Sequence, residues 1–149
     1  MSTCPEFNLR PPIPSDASLF HRVIDKTMRG LIIATWGSWD EERVQREATE
    51  FAQSTNGKVI QIGDSSAGIL VVDREPRQIW LRQIYLLPEH QGKGVGRRLV
   101  KDLLAEGASA NVPIRLRVLA LNSALAFYVK LGFVITETTP DLVYMEHPS

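Results

Sequence analysis

The sequence predicts a single α/β domain of the α+β kind, with helices set among strands joined largely as hairpins. Three observations predict it. Two strand-like stretches joined by a tight turn lie between Lys58 and Asp73, a long apolar strand runs through a glycine-rich turn straight into a helix, and a late helix is followed by a second hairpin. The 149 residues fit one domain, and a chain of this size buries roughly 68–70% of its unfolded surface without covalent staples. No internal repeat, low-complexity tract or linker divides residues 1–149.

In chain order, residues 7–10 read as a first strand ended by Pro11, Pro12 and Pro14. Ser15 or Asp16 can then cap a helix to about Met28, where Gly30 interrupts. Residues 31–35 are apolar and short, and Trp36-Gly37-Ser38-Trp39 reads as a loop carrying two large rings. Ser38 followed three residues later by Glu41 is a capping-box pattern, and Asp40, Glu41 and Glu42 suit the positive end of a helix reaching about Gln53. Asn56-Gly57 is a turn signal; residues 58–63 and 67–73 then form a hairpin around residues 64–66. A third strand, 78–87, is ended by Pro88, and Gly94 opens a helix with Val95, Leu99 and Leu103 spaced four apart. Residues 114–119 are another strand, Asn122 can cap a helix that stops at Gly132, and residues 133–138 and 142–146 close the chain as a hairpin.

Composition narrows the function. Apolar residues make up 44% and charged residues 23%, with 17 basic against 17 acidic, so the basic excess of a nucleic-acid binder is missing. Cys4 stands alone, which excludes an intrachain disulfide framework or a Cys-rich zinc site, and no metal site is expected. Residues 1–10 lack the apolar run of a signal peptide, and no stretch approaches the ~20 apolar residues that span a bilayer. The expectation is a cytoplasmic protein with no membrane partner.

The chemistry concentrates at Gln91-Gly92-Lys93-Gly94-Val95-Gly96. A strand passing through such a turn into a helix gathers backbone N–H groups, and positions without Cβ let an anion approach the main chain. Arg97, Arg98 and Lys101 lie in the first turns of that helix, where positive side chains oppose the macrodipole unless an anion compensates them. The spacing is neither a P-loop nor G-x-G-x-x-G, because Arg97 stands where the third glycine belongs.

With Gln91, Gly94 and Gly96 in the pattern Gln-x-x-Gly-x-Gly after Ile84-Tyr85-Leu86-Leu87-Pro88, and with Asn122-x-x-Ala-x-x-Phe-Tyr-x-Lys-x-Gly-Phe downstream, the chain resembles the GNAT superfamily of acyl-CoA-dependent N-acyltransferases. The resemblance covers nearly the whole chain and is weakest over residues 1–51. It implies a mixed, mostly antiparallel central sheet flanked by helices and splayed between strands 78–87 and 114–119, with the pantetheine arm of acetyl-CoA in the gap. Pantetheine amides would pair with backbone near Ile84, Tyr85 and Leu86, and the pyrophosphate with N–H groups from Gln91 through Gly92, Lys93, Gly94, Val95 and Gly96 to Arg97. Asn122 would touch the pantetheine arm or simply cap its helix.

Attack of an amine on a thioester requires a carbonyl to be polarised, a proton removed and a thiolate managed. The resemblance assigns the thiolate to Tyr128, which could otherwise simply pack beside Phe127; for the carbonyl, a main-chain N–H near Tyr85 or Leu86 would serve, provided a bulge leaves it unpaired in the sheet. Many relatives carry a glutamate on the long strand; residues 78–87 hold only Arg82 and Gln83 among charged or amide side chains near its end, which points to a water relay, with Glu41, Glu42 and His21 as remote alternatives. Trp36 and Trp39, with Glu41, are candidates for the acceptor pocket. The implied activity is N-acetylation of a small-molecule amine or a peptide N-terminus. A non-catalytic acyl-CoA-binding module is the alternative, and nucleic-acid binding through Arg97, Arg98, Lys101, Arg115 and Arg117 runs against the zero net charge. The C-terminal strands offer a surface through which a homodimer could form.

Overall fold

The computed structural model describes residues 4–148; residues 1–3, the start of the segment read as lacking a signal peptide, and Ser149 lie outside them. β1 (Asn8–Arg10) precedes two helices, α1 (Asp16–Trp36) and α2 (Glu41–Ala52). β2 (Gly57–Ile62), β3 (Ser65–Glu75) and β4 (Gln78–Leu86) follow, and a short 3₁₀ turn leads to α3 (Val95–Ala110). β5 (Ile114–Leu119), α4 (Ala124–Lys130), β6 (Val134–Thr138) and β7 (Leu142–His147) complete the chain.

The strands form one sheet in the order β1-β2-β3-β4-β5-β7-β6, antiparallel at every junction but one. β4 and β5 run parallel and share only two register pairs, Ile79 with Ile114 and Trp80 with Arg115. Beyond Trp80 they part, as the splayed sheet requires. A cause lies in β4 itself: Val71 pairs with Gln83 but Val72 with Leu81, so Arg82 is an extra, bulged residue. Such a bulge bends and twists its strand. It also changes parity, so Ile79 and Leu81 before it and Ile84 and Leu86 after it all pack toward one core, while Tyr85 packs toward the other.

Those two cores lie on opposite faces. Val95, Leu99 and Leu103 of α3 are buried against Ile79, Leu81, Ile114 and Leu116, as their four-residue spacing predicts. On the other face Phe20, Val23 and Ile24 of α1 and Val44, Ala48 and Phe51 of α2 cover Val59 and Ile69. No helix among the described residues is long and apolar enough to cross a membrane.

Three local expectations need correction. Gly30 does not interrupt α1, which continues to Trp36 and ends where Gly37 turns left-handed with its N–H on Ile33 O at 2.8 Å. A glycine inside a helix costs only about 1 kcal/mol, and Leu31 and Ile32 beyond it pack against the second core. Asp40, rather than Ser38, caps α2, accepting a hydrogen bond from Arg43 N at 3.0 Å. Ser15 makes no side-chain cap, and Asp16 instead grips β1: Arg10 donates to both its oxygens at 2.8 and 3.0 Å, and Ile13 N donates at 2.8 Å.

The Arg10 hydrogen bond holds the buried Asp16 carboxyl below its usual 3.8. Because the folded group titrates below the unfolded one, its contribution is complete above that value and is lost as pH falls through the folded one. Asp16→Asn should therefore remove about 2 kcal/mol at neutral pH and flatten the acid limb of stability, read by urea unfolding between pH 3 and 7. Gly68 makes a second test, since a Cβ there would meet Tyr85 O at 2.2 Å. Gly68→Ala should cost about 1–3 kcal/mol by forcing β3 from β4, read in the same assay.

Candidate active site

Where β4 and β5 part, a cleft of about 760 Å³ opens, walled by β4 from Leu81 to Leu86, β5 from Leu116 to Leu119, the start of α3 and the start of α4. The strand register decides which backbone groups face it. Leu87 N donates to Ala67 O at 2.8 Å, so Tyr85 and Gln83, two and four residues earlier, also turn their peptide groups toward β3. Ile84 and Leu86 then turn theirs toward the cleft. Of the two residues considered for a polarising amide, Tyr85 is thus tied into the sheet and Leu86 is the one that faces the gap. The bulge lies upstream at Arg82 rather than at Tyr85 or Leu86.

The turn into α3 is built by backbone conformations that favour glycine, Gly92 at φ 74° and Gly94 at φ 90°. Gln91 N is tied to Pro88 O at 3.2 Å, and the first helical bond runs from Arg98 N to Gly94 O at 3.0 Å. Among the described residues, the amides from Gly92 to Arg97 donate to no protein acceptor. They sit at the positive end of a 16-residue helix. Gln91 has a second role that its motif position does not reveal: its Nε2 donates to Leu86 O at 2.9 Å, lashing the turn to the end of β4. Gln91, Gly92, Gly94, Val95, Gly96 and Arg97 line the cleft, whereas Lys93 does not. Arg98 is compensated by Asp102 at 3.5 Å.

Tyr128 reaches the cleft from α4. Its ring is held edge-on by Phe127 and Phe133, with centroids 5.1 and 5.5 Å away. Burial, and then the neighbouring Tyr85, push its phenol above the ordinary value of 10.0. The hydroxyl makes no protein hydrogen bond among the described residues, and no buried side-chain oxygen there is left as a sealed orphan, so it opens on the cleft. Tyr85 is pushed up to about 12, chiefly by burial, then by Glu47, with Arg117 acting in the opposite sense. Both phenols therefore stay protonated at neutral pH. Asn122 lines the cleft while its Oδ1 accepts from Ala124 N at 2.9 Å; the N-cap position of α4 is Ser123, which makes no side-chain cap, so Asn122 supports the helix start from one residue before it.

At the far end the two tryptophans have different surroundings. Trp36 lines the cleft, half exposed, with its Nε1 on Asp141 Oδ2 at 3.0 Å. Trp39 and Glu41 do not line it. Trp39 donates to Glu41 at 2.7 Å and lies under the Arg29 guanidinium at 5.0 Å. Glu41 also accepts from Gln45 at 3.0 Å and lies 2.5 Å from His21 Nε2. The Trp39 hydrogen bond, then those of Gln45 and His21, hold the Glu41 carboxyl down to about 2, a poor proton acceptor at neutral pH. His21 and Glu42 likewise lie outside the cleft lining.

The carboxylate that does line the cleft is Glu47, with Arg43 beside it on α2 and Arg117 on β5. The sequence held a signal for it: Glu47 falls three residues after Val44 and four before Phe51, inside the apolar stripe of α2. Among the described residues no group of three His, Cys, Asp or Glu side chains is arranged to hold a metal ion.

The family model described as acetyltransferase (GNAT) domain matches residues 50–135, more than half of the chain. The structure is similar to that of the PaiA N-acetyltransferase of Thermoplasma acidophilum in complex with coenzyme A, at 18% identity and TM-score 0.76 over 97% of this chain and 99% of that one. It is also similar to an acetyltransferase of Thermus thermophilus, at 24% identity and TM-score 0.75 over the full length of both. A third likeness is to Arabidopsis thaliana Naa50 in complex with the bisubstrate analogue CoA-Ac-MVNAL, at 18% identity and TM-score 0.70 over 96% and 99%. No curated protein matches in sequence. Splayed sheet, amide-rich turn and family match agree, and the chain belongs to the GNAT acetyltransferase family.

Proposed function

We propose that the protein is an N-acetyltransferase that moves an acetyl group from acetyl-CoA to a primary amine. The observation that carries the reading is the run of amides from Gly92 to Arg97 that donate to no protein acceptor at the N-terminus of α3, opening on one end of the cleft. A diphosphate fits such a turn, because amide donors and the helix dipole converge there and the left-handed glycines bring the main chain close. The outward peptide groups of Ile84 and Leu86 suit the amides of a pantetheine arm. The coenzyme A and bisubstrate complexes of the structural relatives support the same reading.

Bound there, acetyl-CoA supplies an acyl group activated as a thioester. The chain's own groups do the rest. Leu86 N–H meets charge developing on the acyl oxygen, which a positioned amide stabilises in a site that excludes water. The Tyr128 phenol, protonated at neutral pH, donates toward the sulfur. Apolar neighbours such as Val118, Leu119 and Phe127 limit water around both.

Calorimetry with acetyl-CoA and release of free thiol in the presence of amines test the reading together. No heat with any acyl-CoA removes it, and heat without thiol release indicates a binding module. Gly94→Val forces a β-branched residue to φ 90°, so acetyl-CoA affinity should fall about tenfold or more while circular dichroism stays native. Tyr128→Phe should lower kcat by about 10²-fold with little change in acetyl-CoA affinity, separating enzyme from binding module.

A further inference from the structure

Behind the main cleft, on the α1/α2 side of the sheet, lies a second hollow of about 350 Å³. The two share Glu47, Leu81, Arg82, Gln83 and Arg117, so they are continuous at the point where β4 and β5 part. Phe20, Phe51 and Trp80 give it apolar walls.

The charges in this hollow differ in their partners. Arg82 is engaged, donating to Asp73 at 2.7 Å and lying over the Trp80 ring at 4.7 Å. Glu47 accepts from Arg43 on one oxygen at 3.1 Å. Arg117 and Glu50 have no ion-pair partner among the described residues. The sheet explains the position of Arg117: it stands two residues beyond the last β4–β5 pair, on the face opposite Leu116, where β4 has already turned away. Glu47, Arg117, Tyr85 and Tyr128 all line the main cleft; Glu47 and Arg117 act in opposite senses on the Tyr85 hydroxyl, and Tyr85 in turn acts on Tyr128.

We propose that the acceptor is a small amine that also carries an anionic group, a carboxylate or a phosphate: Arg117 holds the anion, and Glu47 receives the amine proton. The inference rests on the N-acetyltransferase reading above. As the N–C bond forms and the C–S bond breaks, the proton leaves nitrogen for Glu47. Sulfur keeps the bonding pair and gains a proton by way of Tyr85 and Tyr128. The net change is one proton moved from nitrogen to sulfur. Glu47 thus does from α2 what a glutamate on the long strand would do, and the water relay suggested by the bare strand is not needed. A neutral amine offers Arg117 nothing, which is why the anion belongs to the acceptor.

The test is steady-state acetylation of an amino acid, its carboxamide and phosphoethanolamine by the parent and by Arg117→Met, Arg117→Lys and Glu47→Gln, with acetyl-CoA calorimetry on each. The parent should prefer an anionic amine to the carboxamide, and the amino acid and phosphoethanolamine arms tell carboxylate from phosphate. Arg117→Met should raise KM for the anionic amine about tenfold or more with little loss of kcat, collapsing that preference. Arg117→Lys should restore part of it, because charge returns without the guanidinium fork. Glu47→Gln should lower kcat by about 10²-fold on every amine, with acetyl-CoA heat retained. If Arg117→Met loses that heat, Arg117→Lys carries the comparison. Equal use of carboxylate and carboxamide by the parent, or a preference for diamines abolished by Glu50→Gln, overturns the inference and leaves the N-acetyltransferase standing. Absence of acetyl-CoA heat in the parent removes both.

Discussion

The structure depends on two strands that stop pairing. β4 and β5 hold each other only at Ile79–Ile114 and Trp80–Arg115 and then separate, in a sheet otherwise zipped antiparallel from edge to edge. Backbone groups inside a protein need partners, so a strand that abandons its neighbour turns donors and acceptors toward whatever fills the gap. Leu86 O is satisfied by the Gln91 side chain. The remaining peptide groups of Ile84 and Leu86 on that side define a row that suits a ligand with amides of its own. The cleft is therefore a consequence of how the sheet is built, and the helices complete it.

The same separation lets the two faces of the sheet communicate. Elsewhere the α3/α4 core and the α1/α2 core are insulated by a continuous sheet. At the split, Tyr128 from one side and Tyr85 from the other both line the cleft, and Tyr85 helps to raise the Tyr128 phenol. An amide-rich turn at one end and a charged hollow at the other thereby share one passage, which is what the proposed transfer from a large donor to a small acceptor would use.

Most of the fold was legible because its signals are local. The turn chemistry at Asn56-Gly57, the four-residue spacing of Val95, Leu99 and Leu103, and the helix stop at Gly132 each depend on a few adjacent residues, and all appear in the structure. The N-terminal helices were read less well because neighbours outweighed propensity. Gly30 reads as a break until Leu31 and Ile32 are seen packed on the second core, and Ser38 reads as a cap until Asp40 is found holding Arg43 N. The amide-rich turn was legible for the same local reason: a turn and a helix start present their own amides. The proposed acceptor side was not. Trp39 and Glu41 satisfy each other at the surface, a pairing two residues apart that a list of aromatic and acidic side chains does not distinguish from a pocket.

Glu47 shows why the acceptor side resists reading from sequence. Its spacing from Arg43 is that of an ordinary surface ion pair on a helix, and its place in the stripe of Val44, Ala48 and Phe51 gains meaning only from what lies opposite. What lies opposite is fixed by one residue on another strand. Without the bulge at Arg82, the alternation that aims Leu81 at the α3 core would carry Gln83 and Tyr85 there as well, and Ile84 would face α2 in place of the phenol. A single inserted residue thus bends β4 away from β5, turns Leu86 toward the cleft and places Tyr85 on the α1/α2 side. Removing it would change the face presented by every later residue of the strand, so the donor and acceptor halves of the proposed site would be lost together.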